Sequence, residues 1–136
     1  MILENQTIVI VIIDDDRDDQ EIFQEALYEV NPSIKCIAAS SCEDGLSLLE
    51  ENIDQLPDYI FLDLNMPRMN GKQCLKFLKD SERLRAIPVI IYTTSYLQKD
   101  KEETASLGAA HFLTKPVSIN ELKKEIVSVL TSPLSR

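Results

Sequence analysis

Carboxylates, hydroxyls and one ammonium recur in this chain just past its apolar runs. "IVIVII" leads into Asp14-Asp15-Asp16, "YIFL" into Asp63, "IPVIIY" into Thr93-Thr94-Ser95, and "GAAHFLT" into Lys115-Pro116. An ionised Asp without a partner is costly to desolvate, so an acid ending a buried strand is either solvated or employed. Bringing Asp14 and Asp15 near Asp63 would raise carboxylate pKa values by mutual repulsion unless a cation were supplied. A hard divalent ion with oxygen ligands answers that need, and Mg²⁺ is the usual choice where phosphate is handled. A hydroxyl, an ammonium and a carboxylate-held metal suit the equatorial oxygens of a phosphoryl group, with Asp63 as the oxygen nucleophile.

Taken one at a time, the same residues have ordinary explanations. Asp16, Asp18 and Asp19 suit the positive end of a helix dipole, Thr93 alone is a strand-end hydroxyl, and a Lys before a Pro is a loop. Their shared placement after successive strands gives the set its meaning.

The elements that must position them alternate. Strands are predicted at Thr7 to Ile13, Ile34 to Ala39, Tyr59 to Leu62, Pro88 to Thr93 and Ala110 to Thr114, with amphipathic segments between. Ile22, Phe23, Ala26, Leu27 and Val30 mark one helical face, Leu46, Leu48 and Leu49 a second, and Cys74, Leu75, Phe77 and Leu78 a third. A fourth helix near Leu97 to Leu107 is weakly apolar and expected near the surface. A fifth, Ile119 to Leu130, repeats Leu122, Ile126, Val129 and Leu130. Near-continuous Ile and Val in the first and fourth strands fit strands covered on both faces. The pattern predicts an α/β fold, a flavodoxin-like doubly wound parallel sheet with right-handed crossovers. In the order 2-1-3-4-5 known for that fold, strands one, three, four and five are neighbours, and ligands bind at their carboxyl ends.

The totals set limits. The 136 residues are 44% hydrophobic and carry a formal charge of -9 from 23 acidic and 14 basic residues. That is the size of one domain, spanning 1–136 with a core near 7–131. Such a charge repels polyanions, so no direct nucleic-acid contact is expected. No stretch has the length of a membrane span and Met1 to Thr7 lacks the features of a leader, which predicts a cytoplasmic protein. Cys36, Cys42 and Cys74 are odd in number and form no C-x-x-C pair, and they are read as reduced structural thiols. His111, the only histidine, lies in an apolar segment with no nucleophile nearby in sequence and is read as structural or exposed.

Together, "IVIVIIDDD", "YIFLDLNMPRMNG", "IPVIIYTTS" and "GAAHFLTKP" resemble the receiver domains of bacterial response regulators over nearly the whole chain. The resemblance implies that Asp63 is the phosphoacceptor. It implies that Asp15 binds Mg²⁺ directly, Asp14 mainly through water, and the Asn65 backbone carbonyl completes the protein ligands. Thr93 and Lys115 would each pair with a phosphoryl oxygen, and the Lys115-Pro116 bond is often cis in the family. Phe112 stands where receivers often carry a Tyr that rotates on activation; Phe keeps the rotor without the hydroxyl. Signalling is expected through the face of helix four, strand five and helix five. Asn65 and Ser95 lie two residues past Asp63 and Thr93, and the resemblance implies that these are positions which tune acyl-phosphate lifetime in the family.

The implied partners are a sensor histidine kinase or histidine phosphotransfer protein and a downstream protein, with the chain a monomer or weak homodimer. No output domain is expected after the last helix. The opening "DDDRDDQEIFQEAL" is similar to small receivers that serve hybrid or phytochrome-type kinases. An enzyme is not expected, beyond assistance to its own phosphorylation and dephosphorylation. Two alternatives stay open: a receiver-like scaffold that works without phosphorylation, and an aspartate-nucleophile phosphatase reading Asp14-Asp15-Asp16 as Asp-x-Asp, which would leave Asp63 without a role. A flavin site is disfavoured because acids replace the phosphate-cradling loop after strand one.

Overall fold

The computed structural model describes residues 7–52 and 55–132. Of the segment examined for a leader, residues 1–6 lie outside the described residues. Strands β1 (Val9–Ile13), β2 (Lys35–Ala39), β3 (Tyr59–Leu62), β4 (Val89–Thr93) and β5 (His111–Thr114) alternate with helices α1 (Arg17–Val30), α2 (Cys42–Ser47), α3 (Gly71–Asp80), α4 (Gln98–Ser106) and α5 (Ile119–Thr131). The sheet order is β2-β1-β3-β4-β5 and every pairing is parallel, which is the expected flavodoxin-like architecture.

All five residues of β1 and of β4 are buried, as strands covered on both sides must be. Alternate residues feed two cores. Ile10, Ile12, Phe61, Ile90 and Tyr92 meet Phe23 and Leu27 of α1 and Leu122 and Ile126 of α5. Val11, Ile13, Ile60, Leu62 and Ile91 meet Cys42, Leu49, Cys74, Leu75 and Leu78 on the opposite face. The first core holds an aromatic cluster in which the Phe23 ring centroid lies 4.7 Å from that of Phe61 and 5.4 Å from that of Tyr92. Such tilted pairs add about 0.5–1.5 kcal/mol beyond the area they bury.

Helix starts follow the side chains available. Asp16, Ser41, Asn70 and Ser118 cap α1, α2, α3 and α5 by accepting a backbone N–H, and Asn70 and Gln73 complete a capping box. Helix α2 continues as a π-helical turn, Leu48–Asn52, which its leucine spacing did not foretell.

Two expectations change. Cys42 and Cys74, read as reduced thiols, form a disulfide across the α2–α3 contact with their Cα atoms 5.8 Å apart, and Cys36 is free. Both bonded cysteines are fully buried, so packing of the two helices brings together positions 32 residues apart. Phe77, grouped with the apolar face of α3, is 54% exposed, because Cys74, Leu75 and Leu78 already define the buried stripe. Among the described residues no peptide bond is cis, so Lys115-Pro116 is trans here. His111 is exposed, within the reading made of it.

Candidate functional site

Backbone pairing alone brings the candidate residues together. Ile13 pairs with Leu62, so the residues that follow, Asp14 and Asp63, leave adjacent strands at the same level. The Asp63 N–H donates to the Ile13 carbonyl at 3.0 Å, and the Asp14 N–H donates to the Ala39 carbonyl at 3.0 Å. On the other side Thr93 pairs with Thr114, and the Lys115 N–H donates to the Thr93 carbonyl at 2.7 Å. Four strand ends therefore deliver Asp14, Asp63, Thr93 and Lys115 to one crevice.

Asp14 and Thr93 are fully buried, Asp63 is nearly so, and Asp15 is exposed. Asp14, Asp15 and Asp63 each offer a carboxylate oxygen, and these oxygens all lie within 4.8 Å of one another. Hard oxygen donors so close together, two of them withdrawn from solvent, are the donor set that Mg²⁺ or another hard divalent ion takes. Lys115 supplies the local positive charge. Its Nζ lies 2.8 Å from Asp14 Oδ2, 2.7 Å from Asp19 Oδ2 and 3.8 Å from Asp63 Oδ2, and 5.3 Å from the centroid of the Tyr92 ring.

These contacts set the ionisation of the site. Burial pushes the Asp14 carboxyl up to about 6, against the pull of Lys115 and of the Asp16 N–H. Burial also raises Asp63, while Lys115, the Asn65 N–H and the Thr93 hydroxyl work the other way. For Lys115 burial disfavours the charge, but hydrogen bonds to Asp14 and Asp19 outweigh it and hold the ammonium charged. The cluster is short of positive charge, a deficit a divalent ion would relieve.

The loop after β3 is shaped by close approach. A Cβ on Gly71 would sit 2.2 Å from the Asp63 carbonyl oxygen and 2.5 Å from Leu64 Cα, so only glycine lets α3 start against this backbone. The Gly71 N–H donates to the Leu64 carbonyl at 3.0 Å. Arg68, at φ 64, takes the left-handed region within the same loop. Asn65 is exposed at its start, and its N–H reaches Asp63 Oδ1 at 3.4 Å. Phe112 is half-buried against the core that holds α3, with Lys101 Nζ 5.9 Å from its ring centroid.

Two participants escaped the sequence reading. Asp19, assigned to the helix dipole, grips Lys115 across 96 positions. Gln20, buried one residue later, donates through Nε2 to the Asp14 carbonyl at 2.6 Å and to Ser40 Oγ at 3.1 Å, tying the end of β1 to the turn after β2. A polar residue on the buried face of an otherwise apolar helix was the available signal for Gln20. Nothing in the spacing marks Asp19.

Comparison with known proteins places the chain in a family. The response regulator receiver domain family matches residues 10–127. The chain is 31% identical over 121 residues to the polar-differentiation response regulator DivK of Brucella ovis, covering 89% of this chain and 94% of that protein. It is 38% identical over 86 residues to the probable methanogenesis regulatory protein FilR2 of Methanothrix harundinacea; the match covers 63% of this chain and 56% of that longer protein. The Mn²⁺-bound form of response regulator Rcp1 superposes with a TM-score of 0.80 at 27% identity, covering 94% of this chain and 99% of that one. The chain belongs to the response regulator receiver family, whose members act in two-component signalling as switches rather than as enzymes. Receivers of this kind work with histidine kinases or phosphotransfer proteins and with downstream targets. No helix among the described residues is long and apolar enough to cross a membrane.

Proposed function

We propose that this receiver accepts a phosphoryl group on Asp63 from the phosphohistidine of a sensor kinase or phosphotransfer protein, and signals through the face built by α4, β5 and α5. The observation that carries the reading is the convergence of Asp14, Asp15 and Asp63 oxygens within 4.8 Å, with Lys115 Nζ 3.8 Å from Asp63. A carboxylate oxygen of Asp63 attacks phosphorus, the P–N bond to the donor imidazole breaks, and the leaving nitrogen keeps its electron pair. Asp63 needs no general base, because it enters as the anion. Lys115 and the Thr93 hydroxyl meet the transferring oxygens as negative charge shifts toward Asp63, and catalysis is chiefly positioning and electrostatic. Asp14, Asp15, Asp63 and the Asn65 carbonyl would hold Mg²⁺, which when bound neutralises the carboxylates and the phosphoryl oxygens; the clustered carboxylate oxygens and the Mn²⁺-bound form of the relative Rcp1 support a divalent ion here. The acyl phosphate then draws Thr93 inward, and Phe112 turns on β5 to carry the change to the output face.

The test is labelling with a small phosphodonor and Mg²⁺. Wild type takes up one phosphoryl group, Asp63→Asn takes none, and chelation of the metal stops uptake. Steady turnover of a phosphatase substrate dependent on Asp14 would count against this reading. So would partner binding unchanged by Asp63→Ala in a chain that never takes label.

A further inference from the structure

The loop that follows Thr93, the last residue of β4, leads into α4, the helix with the least apolar attachment. Only Thr104 of Gln98–Ser106 is buried, and Leu97, at the N-cap position, offers no side-chain acceptor to the free N–H groups of the first turn. The attachment is polar instead. Ser95 Oγ donates to Asp100 Oδ2 at 2.5 Å and accepts the Leu97 N–H at 3.2 Å. The other oxygen of Asp100 takes Lys72 Nζ at 2.7 Å, and Lys72 also bonds Glu103. From β5, Thr114 Oγ1 donates to the Ser95 carbonyl at 2.9 Å.

These contacts close a circuit around the acceptor. Lys72 is the second residue of α3, directly after the Gly71 that presses on the Asp63 carbonyl. Ser95 lies two residues past Thr93, and its N–H points to Thr93 Oγ1 at 3.4 Å. A continuous run of polar contacts thus leads from the loop of Asp63 through Lys72, Asp100 and Ser95 to Thr93 at the end of β4, whose hydroxyl acts on Asp63. We propose that Lys72, Asp100 and Ser95 form a polar brace that sets the position of the Thr93 hydroxyl beside Asp63 before phosphoryl transfer. They are positioning residues and touch no reacting atom. An isolated exposed ion pair contributes little to stability. This one joins the first turns of α3 and α4, which follow the segments after Asp63 and Thr93, so its effect falls on the reaction rather than on the fold.

The inference rests on the reading of Asp63 as phosphoacceptor, and two arms separate its failure from failure of that reading. In the first arm, Lys72→Met and Asp100→Asn each slow labelling at saturating phosphodonor by about tenfold, the scale of one good hydrogen bond, with the donor KM unchanged. The double variant is no slower than the slower single one, because both break the same link. The exchanged pair Lys72→Asp with Asp100→Lys recovers most of the rate. In the second arm, amide hydrogen exchange of residues 93–97 in the metal-free protein speeds up about tenfold in both single variants, with the core amides unchanged. Single variants that label at the wild-type rate, effects that multiply in the double variant, or unchanged exchange at 93–97 would each overturn the brace. If wild type takes no label, the acceptor reading fails, while the exchange arm still decides whether the brace orders the loop.

Discussion

Helices α1 and α4 both start beside the crevice, and they are held there by opposite means. Helix α1 buries Phe23, Ala26 and Leu27 in the core, and Asp16 caps its first turn. Helix α4 buries a single threonine, has no capping side chain, and is tied down by Lys72 and Ser95. The contrast matches the residues each region serves. Asp14 before α1 and Asp19 within it are fixed points of the charge cluster, while Thr93 and Ser95 lead into α4 and, in the proposed reading, respond to that cluster. Apolar burial gives one deep, non-directional minimum; a few directional polar bonds can be exchanged at small cost.

The largest effect expected from breaking this contrast is on the α1 side. Phe23→Ala removes the centre of the aromatic cluster and is expected to cost about 3–5 kcal/mol in urea unfolding, whereas Leu97→Ser, at a position 55% exposed before α4, should stay within about 0.5 kcal/mol. An equal loss from both would mean that α4 is packed as firmly as α1. Next comes the opposite face of the sheet, where the Cys42–Cys74 bond joins α2 to α3. Reduction should lower unfolding stability by about 2–4 kcal/mol, and thiol counting on the denatured chain should rise from one to three. Three free thiols before any reductant is added would contradict the bond.

The smallest of the three is a pH effect at the fixed points. With the Asp14 carboxyl pushed up to about 6 from 3.8, the folded protein keeps a proton that the unfolded chain has released between those values. Metal-free stability therefore falls as pH rises through that window, by on the order of 2 kcal/mol, and Asp63 adds in the same direction. Lys115 stays charged throughout and does not reverse the sign. Added Mg²⁺ should flatten the decline, since it binds the ionised carboxylates. Urea titrations across pH with and without Mg²⁺ measure this, and stability that rises with pH in the metal-free protein would contradict the assigned burial of Asp14.

The strands and the polar residues at their ends were legible because both rest on local pattern. Runs such as "IVIVII" can only be buried on both faces, and each ends on the polar residue that the sheet edge exposes. The observed strands start one or two residues later than expected at Thr7, Ile34, Pro88 and Ala110, where pairing begins only inside the apolar run. The disulfide, the Asp19–Lys115 contact and the Lys72–Asp100 link were not legible. Each joins residues whose separation in sequence carries no signal, and whose meeting depends on the packing of two helices or on a side chain reaching across the crevice. Gln20 stood in plain view but had no reason for burial until the Asp14 and Ser40 groups it satisfies were in place.

The central claim is that phosphorus is taken by one aspartyl oxygen at the end of β3. The most direct measurement is borohydride reduction of protein treated with Mg²⁺ and phosphodonor, followed by sequencing of its peptides by mass spectrometry, because reduction of an acyl phosphate turns the modified aspartate into homoserine. The account predicts homoserine at position 63 and nowhere else. Homoserine at 14 or 15, or phosphate that survives reduction on a hydroxyl residue, would contradict it.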